Sequence, residues 1–167
     1  MFVAEPETSR RLRASLARHH HDLSELFMMR EALEVPATTW AADKQDARAL
    51  REVQDAFDAL ELAWDGDRLG DHVDDEELGR LDAAFHLAIV RASGNRFMEQ
   101  VQDVLNEMMR TSMSTTLRVP GRARRSRTEH ARILAAVLAG DAAGAGRAAR
   151  AHVRHAHRAA VTRTEVV

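Results

Sequence analysis

The chain has 167 residues, of which 45% are hydrophobic, so it suits one domain with a core of its own. It contains no cysteine, which excludes disulfide frameworks and thiolate metal sites, and we expect a cytoplasmic protein. The formal net charge of −2 does not indicate a nucleic-acid-binding surface. The sequence also has no apolar run long enough for a membrane span and no signal-peptide pattern.

Six main helices are predicted, because Gly and Pro are few and separate long segments of helical periodicity. Abundant Ala and Arg also favour helix over sheet. Pro36 lies inside the first helix, where we expect a kink or a local break. Short connections make sequential helices neighbours, so the predicted fold is an all-α antiparallel bundle. The expected bounds are about 22–43, 46–64, 74–93, 95–117, 128–138 and 141–163.

Several helix ends carry recognisable signals. Gly94 suits a left-handed C-terminal cap for the third helix, and Asn95 suits the N-cap of the fourth. Gly140 is expected to end the fifth helix, and Asp141 is expected to begin the sixth. These signals fix the junctions between the predicted helices.

The stretch LDAAFHLAIV, residues 81–90, sets a carboxylate and an imidazole on the buried side of the third helix. At 100° per residue, Asp82 falls near the middle of the apolar arc and His86 stands one turn further on. The same construction puts His130 among the apolar residues of the fifth helix and His152 among the alanines of the last. It also turns Glu129 away from the apolar face. An ionised carboxylate in a core needs a positive partner.

Four residues that face the interior of one bundle form a candidate ligand set for a divalent transition metal, namely Asp82, His86, His130 and His152. The alternative is a set of core polar residues that bond to backbone or to each other. Alone, a D-x-x-x-H pair is more often such an internal bond. His155 is close enough to be a spare ligand or a group that contacts one.

A second group of residues has the chemistry to bind an acidic effector. Arg30 lies on the apolar side of the first helix beside Glu34, and it either forms an ion pair with Glu34 or binds a ligand carboxylate. Thr111 and Ser112 on the fourth helix are candidate hydroxyl donors to the same effector, although surface exposure explains them equally well.

The order of motifs resembles the FCD domain, the FadR-type C-terminal effector-binding domain of GntR transcriptional regulators. The resemblance covers residues 22–158 and rests on the series D-x-x-x-H, S-G-N, E-H, G-D and H. The segments that carry it are ELFMMREALEVPA, LDAAFHLAIVRASGNRFMEQV, EHARILAAVLAGDAAGA and RAHVRH. Matched residue by residue, the family's metal ligands fall on Asp82, His86, His130 and His152, and a less uniform effector contact falls on Arg30.

The resemblance implies a sensor rather than an enzyme. Such domains bind Zn, the metal we favour, or Ni or Mn, together with small carboxylates, and they act as homodimers that hold two winged helix-turn-helix domains on DNA. We expect this chain to lack that DNA-binding domain, because MFVAEP, residues 1–6, resembles the end of its wing. We therefore divide the chain into a wing and linker remnant (1–21), a ligand-binding domain (22–163) and a tail (164–167).

Two other functions remain compatible with these residues. Three His and one Asp around an open metal position would also suit a hydrolase of small esters or lactones, although no general base or nucleophile is evident. A purely structural dimerisation module, in which the buried polar groups only specify packing, is the other alternative.

Overall fold

A computed structural model describes residues 23–69, 75–116 and 121–164 of the chain. These ranges form six α-helices and contain no strand, which confirms the predicted all-α bundle. In chain order the helices are α1 (Leu23–Lys44), α2 (Ala47–Leu69), α3 (Asp75–Ala92), α4 (Arg96–Thr116), α5 (Arg122–Leu138) and α6 (Ala142–Thr164). No helix in the described ranges is both long enough and apolar enough to cross a membrane.

The predicted caps account for the helix junctions. Gly94 has φ 76° and ends α3 in the left-handed conformation. The Asn95 side chain accepts hydrogen bonds from the backbone N–H groups of Phe97 and Met98, both at 3.1 Å, and so caps α4. Asp141 caps α6 through the Gly144 N–H at 2.8 Å. Local sequence signals therefore set these boundaries.

The predicted start of the fifth helix, at residue 128, is wrong. The helix begins at Arg122, directly after Gly121, whose φ is 76°. Arg122 and Ser126 are buried on the same face as His130, so the helix and its buried face begin about 1.7 turns earlier than predicted. Arg is also a good helix former, which favours this extension.

Helix α1 is the central element of the bundle. It is helical throughout, so the local break expected near Pro36 does not occur. It packs most extensively against α6 and also contacts α3, α4 and α5. The expectation that sequential helices are neighbours holds for α2 with α3, α3 with α4 and α5 with α6. It fails for α1 with α2 and for α4 with α5, since neither pair forms an extensive contact within the described residues.

Two apolar clusters form the core. The first lies among α1, α2, α3, α5 and α6 and contains Leu60, Phe85, Ile89 and Val137. The second lies among α1, α3, α4 and α6 and contains Phe27, Leu33, Ala37, Val90, Met98, Leu105, Met109, Val153, Ala156 and Ala160. Helices α1, α3 and α6 contribute to both clusters. Buried polar residues on these helices can therefore lie between the two apolar clusters, where water is excluded.

Parts of the predicted division into domains lie outside the described residues. These are the wing and linker remnant, 1–21, and most of the tail, 165–167. Thr164 belongs to α6, one residue beyond the predicted end of that helix.

The junction between α3 and α4 gives a stability prediction. Replacing Gly94 with Ala should lower the free energy of unfolding by about 1–2 kcal/mol, because a Cβ opposes the left-handed conformation. Gly94→Asn should cost less, since Asn adopts this conformation more readily. Either side chain must displace the flexible Lys44 ammonium, so the comparison isolates the backbone effect. Urea denaturation measures it, and equal losses in the two variants would contradict it.

Candidate functional site

A cluster of charged and imidazole side chains lies inside the bundle, and none of its members is more than 5% exposed. It contacts both apolar clusters, since the His130 ring lies 5.0 Å from Phe85 and the Arg30 guanidinium carbon lies 5.7 Å from the centre of the Phe27 ring. Its members come from four helices and are Arg30 and Glu34 of α1, Asp82 and His86 of α3, Glu129 and His130 of α5, and His152 of α6.

The three predicted histidines come together. His86, His130 and His152 each offer a ring nitrogen, and these nitrogens all lie within 4.8 Å of one another. The Nε2 atoms of His130 and His152 are 3.3 Å apart. Imidazoles from three helices therefore meet at one point, a geometry that can hold a transition metal ion.

Asp82 lies beside two of these imidazoles. Its Oδ1 is 3.4 Å from His130 Nε2, and its Oδ2 is 3.8 Å from His86 Nε2. The Oδ2 atom is buried and has no hydrogen-bond partner among the described residues. A buried carboxylate oxygen without a partner is energetically costly, so a cation or a hydrogen-bond donor at this position would stabilise it.

Burial keeps two of the imidazoles neutral. Removal from water, together with the positive charges of neighbouring groups, holds the pKa values of His130 and His152 well below their usual value of 6.5. At neutral pH both rings therefore keep a lone pair on one nitrogen. Neutral imidazole is the form that binds a metal.

Arg30 forms the ion pair with Glu34 that was one of its two expected roles, and it also lies beside the histidines. Its Nε donates to Glu34 Oε1 at 2.7 Å and its Nη2 to Glu34 Oε2 at 3.3 Å, so the buried ion pair is present. Burial disfavours the charge on either group, but their attraction outweighs it, so the pKa of Arg30 is raised and that of Glu34 is lowered. The same Nη2 is 3.4 Å from His86 Nε2, which puts the guanidinium beside the imidazole cluster.

Two buried carboxylates contact the outer nitrogens of the histidines. Glu34 Oε2 is 3.1 Å from His86 Nδ1, and Glu129 Oε2 is 3.0 Å from His152 Nδ1. Glu129 also contacts the Nδ1 of His155 through its Oε1. His155 and His152 therefore contact the same carboxylate, one at each oxygen.

The predicted outward orientation of Glu129 is wrong. The helical wheel turned it outward, yet it is only 5% exposed. Helix α5 packs against α6 and also contacts α1 and α2, so its buried face is wider than its apolar stripe. Its guanidinium partner is the buried Arg122, seven residues earlier on the same helix, whose Nη1 is 3.4 Å from Glu129 Oε2.

Polar residues of α4 extend the cluster. Gln102 is fully buried, and its Nε2 donates to Glu34 Oε1 at 3.2 Å and to Asn106 Oδ1 at 2.8 Å. Neither residue was predicted from the sequence. The side chains of Thr111 and Ser112, the predicted hydroxyl donors on this helix, lie outside the described residues.

A basic cavity of about 600 Å³ opens next to Glu129 and His155. Its lining also includes three exposed arginines of α5, Arg124, Arg125 and Arg132. Arg30 is not among the lining residues. The cavity therefore approaches the cluster from the side of His152 rather than from the side of α1.

Comparisons with known proteins agree with this architecture. Residues 25–155 match the family model described as FCD domain. Over 153 residues the chain is 30% identical to the HTH-type transcriptional regulator LutR of Bacillus subtilis (strain 168), covering 88% of this chain and 66% of LutR. A solved structure of Streptococcus agalactiae GntR superposes with a TM-score of 0.65 at 21% identity, covering 92% of this chain and 61% of that one. The chain thus spans slightly less than two thirds of each of these relatives.

The buried Arg30 to Glu34 pair gives a second stability prediction. Arg30→Met should cost about 3–5 kcal/mol, because it leaves Glu34 buried beside no cation of its own. The double variant with Glu34→Gln should lose less than Arg30→Met alone, since no uncompensated charge remains. Arg80→Met, which breaks an exposed pair with Glu77, is the control and should change little. Urea denaturation compares the three, and a loss for Arg30→Met no greater than the control would contradict the assignment.

Proposed function

The chain belongs to the FCD domain family, and from that premise we propose that it is the effector-binding domain of a GntR-type transcriptional regulator. We propose further that it holds a divalent transition metal and senses a small carboxylate there. The observation that carries the metal proposal is the convergence of three buried imidazoles within 4.8 Å. The curated relative LutR, an HTH-type transcriptional regulator, supports the regulatory role.

The donor set suits a transition metal. Three histidines supply nitrogen donors: His86, His130 and His152. Asp82 supplies a carboxylate, one oxygen of which is buried and has no partner among the residues that the structure describes. Nitrogen and carboxylate donors without sulfur fit Zn, which we favour, and also Ni or Mn. Four protein ligands leave a further coordination position when the metal expands its shell.

The charges around the site support the proposal of an anionic effector. Counted as ionised, Glu34, Asp82 and Glu129 outnumber the two buried guanidinium groups, Arg30 and Arg122, by one. A divalent cation would reverse the sign of this balance and supply an attractive centre for an effector carboxylate. Arg30 lies within 3.4 Å of His86 and would offer its N–H groups to the same carboxylate. Thr111 and Ser112 stay candidates for further hydroxyl contacts.

Sensing fits the site better than catalysis. A carboxylate that serves as the general base of a hydrolase must be free to take a proton from water. Glu34 is bound by Arg30, His86 and Gln102, while Glu129 is bound to its imidazole and guanidinium partners. Neither of these buried carboxylates is available as a general base.

In the complete regulator, effector binding would act on DNA through a separate winged helix-turn-helix domain. We propose a homodimer, so that two such domains meet a two-fold symmetric operator. The name of LutR supports the helix-turn-helix part of this proposal. Sedimentation of the purified chain tests the dimer, and a monomer at all accessible concentrations would contradict it.

Metal binding gives the next prediction. The purified chain should bind about one equivalent of Zn or Ni, and a free metal concentration 100 times Kd should stabilise the fold by about 2.7 kcal/mol. His130→Ala should abolish both effects, because His130 contributes one of the three convergent nitrogens. His157→Ala is the matched control, since His157 stacks on Phe27 and bonds to Ser24 outside the cluster.

Elemental analysis and thermal unfolding with added metal provide the two measurements. A wild-type chain that carries no metal and shows no thermal shift would overturn the metal proposal. Equal metal content in the His130 and His157 variants would show that the ion binds elsewhere.

Effector binding gives a separate prediction. A thermal-shift screen with succinate, malate and glycolate should find stabilisation that EDTA removes, because the metal is part of the binding surface. Arg30→Lys should weaken that stabilisation while keeping the metal, since Lys lacks the planar fork that matches a carboxylate. Arg125→Lys, in the basic cavity, is the control and should respond as wild type does. A response lost in the Arg125 variant and kept in the Arg30 variant would place the acid in the cavity instead.

A further inference from the structure

Glu34 and Glu129 occupy equivalent positions around the imidazole cluster. Glu34 of α1 contacts Nδ1 of His86 on α3 at 3.1 Å. Glu129 of α5 contacts Nδ1 of His152 on α6 at 3.0 Å. Both carboxylates are buried, at 3% and 5% exposure, so water does not compete for these contacts. Two imidazoles are thus bound in the same way by carboxylates from other helices.

These contacts determine which nitrogen carries the hydrogen. An ionised carboxylate has no hydrogen to donate, so a neutral imidazole facing it must donate from Nδ1. The lone pair is then on Nε2. In both rings Nε2 faces the shared centre: that of His152 is 3.3 Å from His130 Nε2, and that of His86 is 3.8 Å from Asp82 Oδ2. The contact between Arg30 Nη2 and His86 Nε2 agrees, because a guanidinium only donates.

We propose that Glu34 and Glu129 are positioning residues that fix His86 and His152 in the Nδ1–H tautomer and aim both Nε2 lone pairs at one point. This inference deepens the proposed metal site and rests on it for its purpose. A carboxylate that accepts from a ligand imidazole also makes that imidazole a stronger donor to a metal. The tautomer itself does not depend on a bound ion, because the carboxylates impose it in the metal-free protein.

The contacts of Glu129 distinguish this role from simple charge pairing. Its guanidinium partner, Arg122, approaches with one nitrogen at 3.4 Å, which is longer than the 3.0 Å contact to His152. Burial lowers the pKa of Arg122 despite the attraction of the carboxylate. The imidazoles of His152 and His155 are therefore the closer partners of Glu129, one at each oxygen.

His130 is oriented in a different way. Its Nδ1 is buried without a hydrogen-bond partner among the described residues. Its ring stacks on Trp64, with centroids 5.7 Å apart and an interplanar angle of 19°, and lies 5.0 Å from Phe85. Aromatic packing fixes this ring in place of a carboxylate. The positioning role is thus specific to two of the three imidazoles.

The direct test is ¹⁵N NMR of the histidine rings in the metal-free wild-type chain, with assignments from the His86→Gln and His152→Gln variants. We expect His86 and His152 to be in the Nδ1–H tautomer at neutral pH. A hydrogen on Nε2 of either ring would overturn the proposal for that residue, whether or not the protein binds metal.

The second test measures Co²⁺ affinity by competition with a chelator. Glu129→Gln and Glu34→Gln should each weaken Co²⁺ binding by roughly 10- to 100-fold and shift the visible spectrum of the bound ion. Glu61→Gln is the matched control, because it also removes a carboxylate from an interhelical pair, with Arg127 at 2.6 Å, away from the imidazoles. It should leave the affinity unchanged.

The outcomes separate this inference from the proposed function. Wild-type Co²⁺ affinity and spectrum in the folded Glu129 and Glu34 variants would overturn the positioning role. A wild-type chain that fails to bind Co²⁺ would overturn the metal proposal, while the NMR result would still decide the tautomers. If the Glu34 variant unfolds because Arg30 loses its partner, Glu129→Gln and the wild-type NMR spectrum decide the matter.

Discussion

Negative charge buried in a helical bundle must be compensated where it lies, because the surrounding side chains cannot solvate it. Three carboxylates of this protein, Glu34, Asp82 and Glu129, are nearly inaccessible to water. Arg30 and Arg122 compensate part of that charge, and imidazole N–H groups satisfy part of the hydrogen bonding. One oxygen of Asp82 has no hydrogen-bond partner in the described part of the chain, so the cluster as a whole is suited to a further positive charge. This requirement links the ion pairs, the histidines and the proposed metal in one arrangement.

The bundle provides that arrangement by enclosing the polar cluster between two apolar clusters. Helix α1 carries Arg30 and Glu34 and contacts four other helices, so its charged pair lies near the middle of the molecule. Exclusion of water strengthens each electrostatic contact there and makes each missing partner costly. The same burial favours the neutral forms of His130 and His152, which leaves them competent as ligands. Packing and site chemistry therefore have a common physical origin.

Much of the candidate site was accessible to reasoning from the sequence. Asp82, His86, His130 and His152 each interrupt an otherwise apolar helical face, and residues that share such faces converge in a small bundle. Their ring nitrogens and carboxylate do meet. Glu129 was misjudged because a wheel drawn from apolar residues underestimates a helix buried on more than one side. The early start of α5 and the central place of α1 were missed for the same reason, since both depend on what the neighbouring helices cover.

The sequence by itself determined the six helices, most of their ends and the direction in which four polar residues point, because turn geometry and caps act over only a few residues. The tertiary structure alone decided which carboxylate meets which imidazole. Glu34 contacts His86 across 52 positions and Glu129 contacts His152 across 23, so each pairing depends on how two helices are rotated and staggered against each other. No local pattern encodes that relation. The rotation and stagger of the helices result from the packing of all the apolar faces together. This packing brings four residues that face the core into one cluster.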